Sequence, residues 1–189
     1  MITGVRVEGS RPYAWPFDGE LPAERVALVV AGADTRWRGR CADPVPAERV
    51  MRALAGPLRT AGALVVAVRC PQPWTQGEPG EDAGPEADVW VTAGGLDGFF
   101  GSRLDRVLRA AGRDRLALCG FGLEGPVHST LRSANDRGYE CVLLTDACAE
   151  LRPELRHAAI ETITMSGGIF GAVAPSAAFL DAVSPGAEL

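Results

Sequence analysis

Four polar side chains lie where the chain is predicted to turn, and each could take part in acid–base chemistry. Asp34 and Asp97 follow predicted strands, while Glu124 and His128 lie on either side of Pro126. A carboxylate or an imidazole in such a position could donate or accept a proton. The plainer interpretations are a turn or helix cap for Asp34, a capping carboxylate for Glu124 and a partly exposed helix residue for His128.

Metal and cofactor chemistry are not expected from the sequence. The two histidines, His128 and His157, are far apart and lack carboxylates at the spacing of metal ligands. The five cysteines are an odd number without a CxxC pair, which favours reduced core thiols over a disulfide framework.

The segment from Arg115 to Glu150 is predicted to form one strand–helix–strand unit. Its first strand is the apolar run 116–121, which glycines close at Gly122 and just beyond. Pro126 is predicted at the first helical position, because its fixed φ and missing N–H suit that position. The second strand is predicted at residues 141–145. Ligands of open α/β sheets bind at the carboxyl ends of the strands, so the turn around Pro126 is the expected site.

The rest of the chain continues the alternation of strands and helices. Further strands are predicted at residues 26–31, 64–69, 88–92 and 169–173. Helices are predicted at residues 46–60, around 104–111, from Pro153 onward and after Ser176, which is expected to cap the last helix. Six parallel strands with crossover helices make a doubly wound three-layer α/β/α sandwich. We expect a single domain over residues 1–189, with an aromatic N-terminal arm at 1–25.

Three stretches of the sequence resemble one known family. GFGLEGPVHSTLRSA (120–134), with the NDRGYECVLLTDACAE that follows, resembles the signature region of the isochorismatase-like cysteine hydrolases, and among them the biuret-hydrolase-like amidohydrolases. PYAWPFDGELPAERVALVV (12–30) is similar to the entry arm and first strand of that subgroup. HAAIETITMSGGIFGAVAPSAAFLDAV (157–183) is similar to its closing helix, short strand and last helix. The resemblance covers nearly the whole chain and implies the family's Rossmann-like fold.

The resemblance implies amide hydrolysis by a cysteine thiolate that an aspartate and a lysine assist. At the matching positions this chain carries Pro126 for the cysteine, Gly32 for the aspartate and Ala93 for the lysine. All 19 basic residues are arginines, and an arginine keeps its proton up to a pH of about 12. The resemblance also implies an oxyanion hole made by the amides at positions 122 and 126, of which only the Gly122 amide is expected to remain.

A ligand in the pocket at this turn would meet a changed set of side chains. The expected walls are Asp34, Trp37, Phe99, Gly122, Glu124 and Pro126. Trp37 could instead stack in a subunit contact or pack as a surface aromatic, and Phe99 could be a core residue. The segment CPQPWTQGEPGEDAGPEA (70–87) resembles a shortened substrate-covering loop, with Trp74 as a candidate lid residue.

Composition limits the partners. A net charge of −5, a pI near 5.1 and scattered arginines argue against a nucleic-acid partner. The longest apolar run is far shorter than the roughly 18 residues of a membrane-spanning helix, so a cytoplasmic protein without a membrane partner is expected. A small-molecule ligand remains an expectation. So does a homo-oligomer, or a hetero-oligomer with a related subunit, because the arm and the apolar C-terminal segment resemble parts that pack between subunits.

Three functions remain open from the sequence. The favoured one is a pseudoenzyme that keeps the hydrolase fold without the triad and acts as a ligand-binding or partner subunit. The alternative is a repurposed enzyme that uses the old amidohydrolase pocket for thiolate-independent chemistry, with the four polar side chains named first as acid–base groups. The least favoured is an amide C–N hydrolase with a relocated cysteine, Cys148 or Cys119, since such a thiol would still need a nearby base or cation.

Overall fold

Six parallel strands form one sheet in the order β3-β2-β1-β4-β5-β6. The structure is a computed structural model and describes residues 4–71 and 80–187. The strands are β1 (Val26–Ala31), β2 (Leu64–Arg69), β3 (Val89–Thr92), β4 (Arg115–Phe121), β5 (Glu140–Ala149) and β6 (Ala172–Ala174). The helices are α1 (Thr35–Arg38), α2 (Val45–Ala61), α3 (Leu104–Ala110), α4 (His128–Asp136), α5 (Arg156–Gly168) and α6 (Ser176–Val183). The predicted α/β fold with a six-stranded parallel sheet is confirmed.

The central strands β1 and β4 are buried along their whole length, as their continuous apolar sequences predict. α2 packs through Met51, Leu54 and Leu58, and Gly62 ends it in a left-handed conformation with φ 101°. Within the described ranges, no helix combines the length and the apolar character needed to cross a membrane.

The turn between β4 and α4 differs from the prediction. Pro126 is not at the first position of an α-helix but inside a single π-helical turn, Leu123–Val127, and α4 begins at His128. The reason lies in the hydrogen bonds of the Gly122 carbonyl. Pro126 has no N–H with which to make the ordinary bond four residues on, so this carbonyl accepts from Gly125 N at 3.0 Å and Val127 N at 3.4 Å instead.

β5 is longer than predicted and the last strand lies later. The pairing with β4 shifts register after Leu118 and then resumes, with Gly120 opposite Cys148. Cys148 is therefore inside the strand rather than after it. Asp146 in this irregular stretch accepts hydrogen bonds from the amide and the hydroxyl of Ser176 at 2.9 and 2.7 Å. Ser176 is thus not the N-cap of α6, and the capping carboxylate comes from a neighbouring strand.

The N-terminal arm packs against the sheet and helices of the same chain. Trp15 is fully buried, with its ring 6.1 Å from that of Phe179 in α6. Arg11 exchanges two backbone hydrogen bonds with Val173, so the arm adds one antiparallel bridge to the edge strand β6. Phe17, later in the arm, is 77% exposed.

Candidate functional site at the carboxyl ends of the strands

Gly32, at the end of β1, has no room for a side chain. Its φ is +66°, and a Cβ placed there would lie 2.4 Å from the Phe121 carbonyl oxygen and 3.4 Å from Pro126 Cβ. Because the first distance is far below any ordinary contact, an aspartate at this position would require the backbone of β1 or β4 to move. Gly32 and Pro126 are thus brought together, as the resemblance implied, but in contact rather than across a cleft.

The Trp37 ring fills the space beside Gly122 and Pro126. Trp37 is 1% exposed, and its Nε1 donates a hydrogen bond to the Cys70 carbonyl oxygen at 2.6 Å. A Cβ on Gly122 would lie 3.1 Å from Cε3 of this ring and 3.0 Å from Pro126 Cδ. Trp37 is therefore a packed core residue at the candidate site, and the expectation of a surface aromatic is wrong.

The Gly122 amide is already engaged. It donates to the Ala149 carbonyl oxygen at 2.9 Å, and Gly122 adopts a left-handed conformation with φ 77°. This corrects the expectation of a free donor. A substrate oxygen could use the amide only by displacing its bond to β5.

Asp34 caps the short helix α1. Its Oδ1 accepts from Arg36 N at 3.0 Å and from Trp37 N at 3.1 Å, which is the capping interpretation of this residue. The residue is 1% exposed, and among the described residues its Oδ2 makes no hydrogen bond of normal geometry, although the Cys70 amide lies close enough to lower the pKa of the carboxyl group. Burial raises the pKa of Asp34, because a charged carboxylate is disfavoured away from water.

Glu124 holds the segment after β5 rather than its own helix. Its two carboxylate oxygens accept from Leu151 N at 2.9 Å and Arg152 N at 3.0 Å. His128 lies one turn later, with its ring 6.5 Å from that of Phe170. Burial, together with the nearby Arg132 charge, lowers the pKa of His128, so the neutral imidazole is favoured.

The remaining predicted positions lie around the end of β3. Ala93 is 3% exposed, and its amide donates to the Arg69 carbonyl at 2.9 Å. Asp97 accepts from Phe99 N at 2.9 Å and so closes a turn. Phe99 is buried, with its ring 5.8 Å from that of Tyr139, which is the core interpretation of this residue.

All five cysteines are free thiols and buried. Burial raises the pKa of Cys119 and of Cys148 well above the ordinary thiol range. Sequence reasoning missed Cys41, whose thiol lies beside Trp37 and donates to its carbonyl at 3.3 Å. Burial raises the pKa of Cys41 to about 11, so this thiol too is protonated near neutral pH. No spacing signal in the sequence connects Cys41 with the turn around Pro126.

A second segment covers the end of β1. Thr35 N donates to the Glu81 carbonyl at 2.8 Å and Ala83 N to the Ala33 carbonyl at 3.2 Å, so residues 80–83 cross the candidate site. Trp74, the candidate lid residue, lies outside the described residues. Within the part of the chain that is described, no group of three His, Cys, Asp or Glu residues has the arrangement of a metal site.

Residues 46–176 match the isochorismatase domain. The chain belongs to the isochorismatase family. The match includes β2 to β6, the turn around Pro126 and the position of Ala93, whereas Gly32, Asp34, Trp37 and Cys41 lie before it.

Several curated proteins of this family are similar over part of the chain. An uncharacterized isochorismatase family protein, YwoC of Bacillus subtilis, is 34% identical over 93 residues, or 49% of each chain. Ureidoacrylate amidohydrolase RutB of Azorhizobium caulinodans is 36% identical over 46% of this chain and 39% of its own. Streptothricin hydrolase of Streptomyces noursei is 36% identical over 65% of this chain and 49% of its own. The chain thus spans about half or less of the length of these relatives.

Solved structures of the family share the fold. A cysteine hydrolase from Pseudomonas syringae has a TM-score of 0.72 at 20% identity, over 85% of this chain and 93% of its own. N-carbamoylsarcosine amidase from Thermoplasma acidophilum has a TM-score of 0.63 at 22% identity, over 80% of this chain and 96% of its own. At such identities the likeness concerns the fold alone.

Proposed function

We propose that this isochorismatase-family protein is non-catalytic and serves as a ligand-binding or partner subunit. One observation carries the proposal: the Trp37 ring, 1% exposed, packs against the turn where the family places its nucleophile. A substrate carbonyl would need that same space to reach an attacking atom at Pro126. Proline offers no such atom.

The groups around the turn support the same proposal. An aspartate has no space at Gly32, and the chain has no lysine for position 93. The Gly122 amide donates to Ala149, and both oxygens of Glu124 accept from backbone amides. The polar groups of the site are thus used to hold the fold, and hydrolysis would lack a nucleophile, a base and a free oxyanion donor.

The weak acidity of the buried thiols argues against a relocated catalytic cysteine. The thiolate is the nucleophile in cysteine hydrolases, and burial raises the pKa of Cys41, Cys119 and Cys148. The Cys41 thiol also donates its hydrogen bond to the Trp37 carbonyl oxygen, and not to a side chain that could act as a base. The five unpaired thiols further support the cytoplasmic location that we include in the proposal.

A second candidate is a repurposed enzyme that uses Asp34. Its Oδ2 is buried and makes no hydrogen bond of normal geometry among the described residues, and burial raises the pKa of the carboxyl group. A carboxyl group that holds its proton closer to neutral pH could act as a general acid or base on a small neutral ligand. This candidate requires an opening past Trp37.

The test is an ammonia-release assay with ureido, biuret-like and nicotinamide-type amides, run beside an active family member that carries all three triad residues. We expect release at the background rate. Turnover that Cys41→Ser or Cys148→Ser abolishes would overturn the proposal in favour of a relocated thiol. Turnover that survives both substitutions but is lost in Asp34→Asn would overturn it in favour of the repurposed enzyme.

A thermal-shift screen of small ureas, amides and carboxylates separates the two roles of a non-catalytic subunit. A ligand that binds only the native state must raise the apparent unfolding temperature. A stabilising hit without turnover supports a ligand-binding subunit. Without a hit, the partner role is the one that stands.

A further inference from the structure

A groove lies between α2 and the residues that lead into the edge strand β3. Its volume is about 400 Å³, which is enough for a small organic ligand. Arg52 and Arg59 of α2 form one side, and residues 82–87 with Trp90 of β3 form the other. None of these residues belongs to the turn around Pro126. The groove is therefore a second concave surface, separate from that turn.

Four charged side chains line the groove, and two of them are held by residues outside it. The Arg52 guanidinium pairs at 2.8 Å with a glutamate one turn earlier on α2, and Asp82 accepts from Arg69 at 2.6 Å. The other two are Arg59 and Glu86, whose charged groups are 3.8 Å apart. That separation exceeds a hydrogen-bond distance. Arg59 and Glu86 thus present a positive and a negative group side by side without binding each other.

The Arg59 guanidinium keeps its donors available. In the part of the chain that the structure describes, its second carboxylate neighbour is Asp88, also 3.8 Å away. Oδ2 of Asp88 accepts from the Val65 amide at 2.8 Å, so this side chain is held against β2. The Glu86 side chain is 88% exposed, which leaves its carboxylate accessible. A carboxylate in the groove would find the N–H fork of a guanidinium, and an ammonium beside it would find Glu86.

Trp90 gives the groove one aromatic wall. The Arg69 guanidinium stacks on this ring, 4.5 Å from its centroid, but does not itself line the groove. Arg103 donates to the Trp90 carbonyl oxygen at 3.0 Å and so holds the strand that carries the ring. Aromatic rings attract each other in offset-stacked or edge-to-face contacts. The wall therefore favours a ligand that has an aromatic ring.

We propose that this groove binds a free aromatic α-amino acid. The carboxylate of the ligand accepts from Arg59, its ammonium group donates to Glu86, and its ring packs on Trp90. An α-amino acid carries opposite charges on groups attached to one carbon atom, which matches two protein charges only 3.8 Å apart. A residue inside a peptide has neither charge, and a chain terminus has only one of them. A simple aromatic carboxylate would leave Glu86 as a repelling neighbour.

This proposal does not rest on the chain being non-catalytic. The groove would be present whether or not the turn around Pro126 supports turnover. A ligand whose stabilising effect disappears in Arg59→Met binds in the groove, and a ligand whose effect that variant retains binds elsewhere. The binding test below and the ammonia-release assay can therefore fail independently.

The first experiment titrates the full chain with L-phenylalanine in an isothermal calorimeter. We expect saturable binding of one ligand per chain. Three analogues each lack one of the recognised groups: N-acetyl-L-phenylalanine has no ammonium, L-phenylalaninamide has no carboxylate and L-alanine has no ring. Each analogue should bind at least about tenfold more weakly, because one charged hydrogen bond or the ring contact is lost. No binding of L-phenylalanine, or equally tight binding of any analogue, would overturn the proposal.

The second experiment assigns the binding to the groove. Arg59→Met, Glu86→Gln and Trp90→Ala should each weaken the binding of L-phenylalanine at least about tenfold. The matched controls are Arg49→Met and Glu81→Gln, which change the same charges at exposed residues that do not line the groove. Both should bind like the wild type, and circular dichroism checks that all variants are folded. Glu86 is highly exposed, so a folded Glu86→Gln variant that binds like the wild type would contradict the proposal, as would an equal loss in Arg49→Met.

Discussion

The carboxylates around Arg115, at one edge of the sheet, and those of the candidate site, at the other edge, have different kinds of partner. At the amino-terminal edge Arg115, whose side chain is only 8% exposed, forms ion pairs with Asp18, Asp114 and Glu140. Asp18 belongs to the N-terminal arm, so these charges fix the arm to the sheet. This edge is stabilised by contacts between side chains of opposite charge.

At the carboxyl edge, where an open α/β sheet binds its ligands, Arg69–Asp82 and Arg156–Glu150 also form ion pairs, but the two carboxylates nearest the Pro126 turn contact backbone. Asp34 caps α1, and Glu124 holds the amides of Leu151 and Arg152. The remaining space beside Gly122 is filled by Trp37. A carboxylate near a strand end is therefore not evidence of chemistry until its hydrogen-bond partners are known.

Substitution of Trp37 should have the largest effect on the carboxyl edge. Trp37→Ala removes a buried ring and should lower the free energy of unfolding by about 3–5 kcal/mol in urea titrations. The cavity left beside Gly122 should bind indole, so that indole raises the unfolding temperature of this variant and not that of the wild type.

Two controls accompany this prediction. Trp90→Ala removes a half-buried ring on β3 and should lower the free energy of unfolding by less than Trp37→Ala does. Trp37→Phe keeps most of the ring but loses the hydrogen bond to Cys70, and should cost about 1 kcal/mol. A Trp37→Ala variant no less stable than Trp90→Ala would contradict the packing described for this edge.

Removal of Arg115 tests the opposite edge. Arg115→Met leaves three carboxylates without their shared cation, and we expect a loss of about 2–3 kcal/mol because those carboxylates are partly exposed. Arg52→Met, which removes an exposed arginine from its pair with Glu48 one turn earlier on α2, should lower the free energy of unfolding by only about 0.3–0.5 kcal/mol. Equal losses in the two variants would show that the ion pairs at this edge do not hold the arm.

The smallest predicted effect is a difference in pH dependence between Asp34 and Asp114. Burial raises the pKa of Asp34 above its ordinary value of 3.8, so its contribution to stability is full below that value and is lost as the pH rises through the folded-state pKa. At Asp114 burial acts in the same direction, but the hydrogen bond from Arg25 and the charge of Arg115 outweigh it and lower the pKa. Its contribution is therefore full above 3.8 and is lost as the pH falls.

Urea titrations over a pH series measure this difference. The stability of the wild type relative to Asp34→Asn should fall as the pH rises, and its stability relative to Asp114→Asn should fall as the pH drops. Asp181→Asn, an exposed carboxylate on α6, controls for the change of net charge. Parallel pH profiles for Asp34→Asn and Asp114→Asn would contradict the comparison.

The sequence predicted the sheet well because buried parallel strands are continuous apolar runs. β1 and β2 have the predicted bounds, and α2 differs by one residue at each end. The misplaced elements, the end of β5 and the short β6, depend on a register shift and on left-handed turns near Gly168 and Gly171. Such irregularities come from neighbouring strands, and a local pattern does not contain them.

For the candidate site, the residue types alone limit which atoms are available: the chain has no lysine, a glycine at position 32, and a proline at the position where the resemblance implies a nucleophile. What occupies the space between these three positions depends on the packing of distant segments. Trp37, Cys41 and Leu151 come from segments distant in sequence from the turn, and they meet it because the parallel strands end together at one edge. The partner of a hydrogen bond and the filling of a cavity are properties of that three-dimensional packing, which no spacing along the chain encodes.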